Sequence, residues 1–300
     1  MNALSPPVCF ERPDLAALAR EGAVVDMHFH SRASDGRDGA AAIAARARAL
    51  GIGVAVTDHN AVATALELER FEGVFSIPGI ELTSWEGTHL LVYFYDAGGL
   101  LSFYRRHVAP YRGAEVMSSL SLGLSELIAR ARDCETLVVL PHPCCGNYTG
   151  VHNPLFDDAQ RAEFFARVDG IEAINAENLK TGNLKSALLG FNLEKPLTGG
   201  SDGHRLDRLG RAVTVACCPQ SPRAFLDAVK GRRARVVGKE IGLLRQVAGG
   251  GTRLRTGIRH APDLVGKHLR VLNATSRRLC DSVQHRLAER LLGAGGRRRA

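Results

Sequence analysis

Between residues 23 and 238 the chain alternates short apolar runs rich in β-branched residues with longer Ala-, Leu- and Arg-rich stretches whose apolar positions recur every three or four residues. The first kind of run reads as strand and the second as helix. Strands are expected at "AVVDMHF", "GIGVAVT", "GVFSIPGIEL", "THLLVYFY", "TLVVLP", "GIEAIN", "KPLTG", "RAVTVAC" and "ARVVG". Helices are expected at "GAAAIAARARAL", "AVATALELERF", "LSELIARARD", "DAQRAEFFARV", "LKSALLGF" and "PRAFLDAVKG". Six or seven such alternations predict an α/β fold of βα units around a parallel sheet, and favour a barrel over an open sheet. Strand side chains alternate in direction, so in the first run Asp26, His28 and His30 should share one face, with Met27 and Phe29 on the other.

After residue 240 the pattern changes. "VAGGGTRLRTG" is a Gly-rich, basic linker, and the stretch that follows places Val265, Leu269, Leu272, Leu279, Val283, Leu287 and Leu291 at spacings of three, four and seven. These spacings predict an amphipathic helix or helix pair with its arginines off the apolar stripe. Two parts are expected: a barrel over residues 1–240 and a basic, mainly helical extension over residues 241–300.

Charge follows the same division. Residues 241–300 carry 13 Lys and Arg against 3 Asp and Glu, so the formal net charge of +8 belongs to the extension, and the first 240 residues are slightly acidic. Any electrostatic contact with nucleic acid, an anionic surface or a protein partner is therefore expected of the extension alone. It contains no aromatic residue with which to stack bases. A helix packed on the barrel with its arginines in water is the plainer reading. No apolar run is long enough to span a membrane, and the first residues lack the basic start and apolar stretch of a secretory signal, so a cytoplasmic protein is expected. Seven cysteines form no CxxC clip and read as reduced, buried thiols.

The chemistry lies at the strand ends. The first strand carries His28 and His30, with Asp35 shortly after. "GIGVAVTDHN" ends in Asp58 and His59, and "GIELTSWEGTHLL" carries Glu81 and His89. "TLVVLPHP" delivers His142, and "KPLTGGSDGH" delivers Asp202 and His204. In each case an apolar run stops and a borderline or hard metal ligand follows, which is where an α/β barrel places its reactive groups. A lone His-x-His is more often packed than metallated, but so many ionisable groups at strand termini would lack partners without a cation. Asp26, Asp58 and Asn60 are candidates to orient these imidazoles.

"DMHFHSRASDG", "AVTDHN", "GIELTS", "LPHP" and "GGSDGH" resemble the motifs of the PHP superfamily, the polymerase and histidinol phosphatase group, over roughly residues 22–238. The resemblance implies a distorted (βα)7, TIM-like barrel whose mouth holds two or three divalent ions, manganese, iron or zinc. It implies one metal on His28, His30, Glu81 and Asp202, a second on Glu81, His89 and His142, and a third on Asp35, His59 and His204. It also implies catalytic roles for Glu81, Asp202 and His204. "IEAINAEN" resembles a family segment lining the mouth and brings in Glu172, Asn175 and Glu177.

Three divalent ions, three carboxylates and one bridging hydroxide would leave a net charge of about +2, matching a phosphate monoester dianion. The expected function is therefore hydrolysis of a phosphate ester, in a small phosphorylated metabolite or nucleotide, by a metal-bridging hydroxide at a trinuclear site. Arg205, Arg208, Lys180 and Asn175 are candidates to contact the substrate. The His30–Asp35 spacing and the Glu81–His89 pair resemble the nucleotide-cleaving type. The long helical insertion that type carries between the equivalents of His89 and His142 is absent, since only 52 residues intervene. Two other classes stand beside this one: an amidohydrolase-like enzyme cleaving a C–N bond, and an inactive barrel scaffold with a basic binding tail. The first typically uses a bridging lysine, and no lysine precedes Lys180.

Overall fold

The computed structural model describes residues 6–115 and 117–241, together with residues 269, 272–274 and 276. Ten strands and eight α-helices follow in the order β1 (Val8–Cys9), α1 (Leu15–Glu21), β2 (Ala23–Phe29), α2 (Ala40–Leu50), β3 (Gly53–Val56), α3 (Ala63–Leu68), β4 (Gly79–Thr83), β5 (His89–Phe94), α4 (Ala97–Phe103), α5 (Leu124–Arg132), β6 (Thr136–Leu140), α6 (Asp158–Arg167), β7 (Gly170–Asn175), α7 (Lys180–Asn192), β8 (Leu197–Gly200), β9 (Ala212–Ala216), α8 (Pro222–Lys230) and β10 (Ala234–Gly238). All nine expected strands and all six expected helices are present among them. Of "GVFSIPGIEL", Gly79 onward forms β4, Ser76 makes only an isolated bridge, and Pro78, which has no N–H to give a ladder, lies between the two pairings. Local chemistry sets several ends: Gly51 closes α2 at a left-handed φ of 67°, a capping box of Asp157 and Gln160 opens α6, and Ser221 with Pro222 opens α8.

The strands form two five-stranded sheets, β1-β10-β9-β2-β3 and β4-β5-β6-β7-β8. Ladder pairing among the described residues shows no closed barrel; isolated bridges join the two sheets, His59 with Glu81, Val54 with Ser76 and Phe29 with Gly203. Where β8 meets β9 and β2, side chains take the place of a ladder: the Thr214 hydroxyl takes Gly199 N–H at 2.9 Å, and Asp26 Oδ1 takes Ser201 N–H at 2.8 Å. One expectation is corrected: the strands are not uniformly parallel. β4–β5, β5–β6, β2–β9 and β9–β10 are antiparallel. The five residues between β4 and β5 are too few for a parallel crossover.

A bulge in β2 corrects the expected alternation as well. Its register with β3 shifts between Asp26 and Phe29, so the extra residue re-aims the strand as it reaches the site. Met27 packs with Val25, Ile77 and Tyr93, whereas Phe29 packs with Ile43 and Val54 beneath α2. The core lies between the sheets and their helices, and every residue of β2, β3, β4, β6, β7, β8 and β9 is buried. None of the six described cysteines is fully buried, which corrects the expectation of buried thiols, and none is in a disulfide. Among the described residues no helix is long and apolar enough to cross a membrane. Apart from Ile241 and the five residues from 269 to 276, the expected extension lies outside the described residues.

Gly200 is where β8 touches β2: a Cβ there would lie 2.3 Å from His28 Cβ and 2.5 Å from its backbone N. Gly200→Ala should therefore force the two strands apart and lower stability by about 2–3 kcal/mol. Urea unfolding checks this, and an unchanged midpoint would contradict it.

Candidate metal centre

The reactive side chains come from the strands and from the loops that follow them. His28 is on β2 and His30 just past its end. Asp35 follows in the next loop, His59 lies past β3, Glu81 is in β4, His89 opens β5, His142 lies past β6, and Asp202 and His204 lie past β8. Three residues of these termini, Asn60, His142 and Asp202, have φ of 48°, 29° and 51°. That left-handed conformation costs a non-glycine residue about 1–3 kcal/mol, and it is kept where the surroundings over-determine it. Asp202 is fixed by its own N–H, which donates to His28 C=O at 2.7 Å.

The side chains converge on Glu81. Its carboxylate oxygens lie 3.0 Å from His59 Nδ1 and 3.0 Å from His89 Nδ1, 3.4 Å from His28 Nε2, 3.5 Å from His30 Nε2 and 3.6 Å from His142 Nε2. Asp202 Oδ1 is 3.1 Å from His30 Nε2, and Asp35 Oδ2 is 2.9 Å from His204 Nε2. Four sets of three residues each bring one ligand atom apiece within 4.8 Å of one another: His28–His30–Asp202, His30–Asp35–His204, His30–His59–Glu81 and Glu81–His89–His142. All nine residues expected from the sequence are brought together. His59 groups with His30 and Glu81; Asp35 is 3.9 Å from its Nε2. The His30 ring is stacked between those of His59 and His204, each centroid 4.6 Å away.

The protons can be traced. Glu172 accepts from His28 Nδ1 at 2.9 Å, and the Asp202 carbonyl accepts from His204 Nδ1 at 2.8 Å. In their neutral forms both rings therefore present a bare Nε2 inward, His28 toward Glu81 and Asp202 and His204 toward Asp35. His28 Nε2 and His30 Nε2 face each other at 3.2 Å. Both oxygens of Glu81 are buried without a hydrogen-bond donor of acceptable geometry, as are His30 Nδ1, His89 Nδ1 and His142 Nδ1. A buried carboxylate ringed by lone pairs is costly unless a cation lies among them. Imidazole and carboxylate donors at this spacing fit divalent first-row ions.

The electrostatics agree. Burial pushes Glu81 up, but His89, His59 and His28 more than offset it and hold the carboxyl well below the usual range. Burial disfavours charge on His28, yet Asp202, Glu172 and Glu81 raise it well above the ordinary imidazole value. Burial likewise disfavours charge on His142, and the neighbouring Cys145 thiol and Glu81 carboxylate raise it well above the ordinary value. Burial pulls His89 down to about 4, so it stands neutral and ready to ligate at neutral pH.

The three candidates for orienting imidazoles act on backbone instead. Asp26 accepts from the N–H groups of His28, Ser201 and Gly210, and burial pushes its carboxyl up to about 6. Asp58 takes the Ser31 N–H at 2.7 Å and the hydroxyls of Ser31 and Ser34 at 2.6 Å each, bracing the loop that carries Asp35. Asn60 accepts from Thr83 N–H and donates to Ser118 C=O. The residue that does orient an imidazole is Glu172, which also accepts from His142 N–H at 2.7 Å. Its position inside a fully buried strand, "GIEAIN", was the available signal, since an unpaired carboxylate does not survive there.

Of the candidate substrate contacts, Asn175 is buried and donates to Glu172 and Asp202, so it holds carboxylates. Arg205 and Arg208 both pair with Asp207, and Lys180 is exposed at the start of α7. Cys145 sits beside His142. Burial pushes its thiol up, and the imidazole together with Thr149 and Asn147 pulls it down to about 7.

Residues 182–234, from α7 through Asp202 and His204 into β10, match the family described as PHP-associated. Three solved structures share the fold. A two-domain protein of Bacteroides vulgatus containing a predicted PHP-like metal-dependent phosphoesterase is 16% identical, with a TM-score of 0.51 over 81% of this chain and 74% of that one. The chain has a PHP-type fold. Endonuclease Q, solved with a 27-mer duplex bearing an abasic lesion at its active site, is 18% identical, with a TM-score of 0.58 over 73% of this chain and 60% of that one. PsfC of Pseudomonas syringae is 21% identical, with a TM-score of 0.54 over 78% of this chain and 97% of that one. No curated protein matches the chain.

Two outcomes follow from the proton positions. His28 and His142 hold a proton more tightly than ordinary imidazoles when no cation is present, so cation binding should expel protons, and apparent affinity should rise with pH. Calorimetry in buffers of different ionisation enthalpy measures this; a pH-independent affinity with no proton release would contradict it. Glu172→Gln should weaken cation binding roughly 10- to 100-fold by loosening the His28 ring. Equal affinity would show that Glu172 orients nothing.

Proposed function

We propose that the protein is a divalent-metal-dependent phosphoesterase. The observation that carries this reading is the Glu81 carboxylate, buried without a hydrogen-bond donor at the meeting point of five imidazoles. His28, His30, Glu81 and Asp202 would hold one cation, Glu81, His89 and His142 a second, and Asp35, His59 and His204 a third. Bound there, divalent ions supply Lewis acidity and positive charge, which suit a phosphate ester and a water nucleophile.

The side chains of this chain divide the remaining work. Glu172 keeps the proton on His28 Nδ1, and the Asp202 carbonyl keeps that of His204, so both rings ligate through Nε2. Asn175 steadies Glu172 and Asp202 together. The centre opens toward His204, Asp202, Asp35 and His89, whose side chains are 14–18% exposed, while His28, His30 and Glu81 are closed off. Substrate would therefore enter on the side of His204, where Arg205 and Arg208 can exchange Asp207 for a phosphate oxygen. His204, the most exposed of the nine, would hold its cation on the side from which the leaving oxygen departs. We read the two sheets as the halves of a distorted (βα)7 barrel, a reading supported by the bridges along their seams. Endonuclease Q's duplex substrate keeps nucleic acid among the classes to be screened.

Manganese-loaded protein should release phosphate from p-nitrophenyl phosphate or from a panel of sugar phosphates, nucleotides and short RNA. Glu81→Gln should lower that rate on the order of 10³-fold, as expected when a central charge-stabilising group is lost. Turnover that survives both a strong chelator and this substitution would overturn the reading.

A further inference from the structure

Helix α7 has two faces with different duties. Its inner face serves the centre: Asn183 Nδ2 donates to Asn175 C=O at 2.9 Å, Asn183 Oδ1 accepts from Asn175 N–H at 3.1 Å, and Asn175 in turn holds Glu172 and Asp202. Its outer face carries Leu184, Leu188 and Phe191, spaced by four and three and so aligned in one row. Leu179 stands just before the helix, and the four side chains are 46–59% exposed. Single exposed leucines are ordinary, but a row of large apolar groups along one helix marks a surface that something covers.

Three observations point to the basic extension as the cover. The chain passes into it beside this helix: Ile241 N–H donates to Ala176 C=O at 2.8 Å, a few residues ahead of Lys180, where α7 begins. Residues 242–264 can span at most about 80 Å, and α7 is about 20 Å long, so the apolar positions that start at Val265 can reach every turn of it.

The two patterns also match. Val265, Leu269 and Leu272 are spaced by four and three, as Leu184, Leu188 and Phe191 are, and such rows interdigitate when helices pack. Leu269 and Leu272 are themselves 54% and 60% exposed, so each row lacks a cover that the other can supply. Charge is the third observation. Glu194, just past α7, has a side chain that is 82% exposed. A carboxylate there suits a segment with 13 Lys and Arg against 3 Asp and Glu, and opposes docking on an anionic surface. A second copy of the chain offers the same row, but tethering beside Ala176 holds the chain's own row at an effective concentration of about millimolar.

We propose that the apolar row of the extension, from Val265 through Leu272, docks in cis along the outer face of α7 and covers Leu184, Leu188 and Phe191. Docking buries both rows and leaves the extension's arginines in water. The inference does not depend on the reaction catalysed at the metal centre.

Lys267 is the single lysine of residues 241–300, and Lys180 and Lys185 are both exposed on α7. Amine cross-linking of the full-length protein, read by mass spectrometry, therefore reports the contact. Lys267 should link to Lys180 and Lys185 in preference to Lys230, at the end of α8. Leu184→Gln combined with Leu188→Gln should lower the Lys267 links to α7 about tenfold and leave the Lys180–Lys185 link, a check that α7 is intact, unchanged. Leu269→Gln combined with Leu272→Gln should act in the same way. In a mixture of isotopically labelled and unlabelled protein the links should stay within one chain. The proposal is overturned if Lys267 links as readily to Lys230 as to Lys185, or if the α7 substitutions leave its links unchanged. Links joining labelled to unlabelled chains would overturn it in favour of a second copy. Loss of phosphatidylserine vesicle binding in the α7 variant, with its cross-links unchanged, would overturn it in favour of a membrane surface.

Discussion

One negative charge, that of Glu81, sits in the interior with five imidazole rings turned toward it and no donor satisfying either oxygen. In a low-dielectric interior such a group is tolerated only where compensating positive charge is at hand. Without a cation that charge has to come from protonated imidazoles, and His28 and His142 are indeed held well above their ordinary values. With a cation the same nitrogens offer lone pairs. The site is thus poised between two forms of compensation, and the second satisfies more of its atoms.

The surrounding fold serves that arrangement at a local cost. A bulge turns β2 as it delivers His28 and His30. Left-handed backbone at Asn60, His142 and Asp202 aims three further termini inward. Buried carboxylates that never meet the centre hold the framework: Asp26 gathers the N–H groups of β2 and of the loop after β8, and Asp58 ties down the loop that presents Asp35. Burial alone would favour an uncharged Asp26, so the three N–H bonds are what make a carboxylate acceptable there. Hinge-like freedom would not suit a cluster whose members lie 3 to 4 Å apart, and the seams between the sheets are stitched by side chains and single bridges at that level of the molecule.

Much of this was legible in the linear pattern. β2, β7 and β10 have the bounds expected from their apolar runs, and the nine cluster residues are His, Asp or Glu within strands or in the loops beside them. What was hidden is what a single chain cannot encode locally. Strand direction depends on connections, so the hairpin between β4 and β5 and the reversed β9 break the parallel expectation. A bulge needs a partner strand to be seen. β1, α1 and α4 are short or Gly-containing and carry weak periodicity. Glu172 looked like a mouth-lining residue because period and burial are visible in sequence, whereas its partner His28 lies 144 positions away. Asp26 and Asp58 were credited to the wrong atoms, since nearness in sequence to a histidine says nothing about which donor a carboxylate will find.

The account stands on cations lying at Glu81. Diffraction data collected at the manganese absorption edge from crystals of the loaded protein would test it most directly. The account predicts anomalous density about 2.0–2.2 Å from the oxygens of Glu81, with nitrogens of His89 and His142 completing the shell. Density confined to other positions, or a Glu81 carboxylate bonded directly to imidazolium N–H groups with no ion beside it, would contradict it.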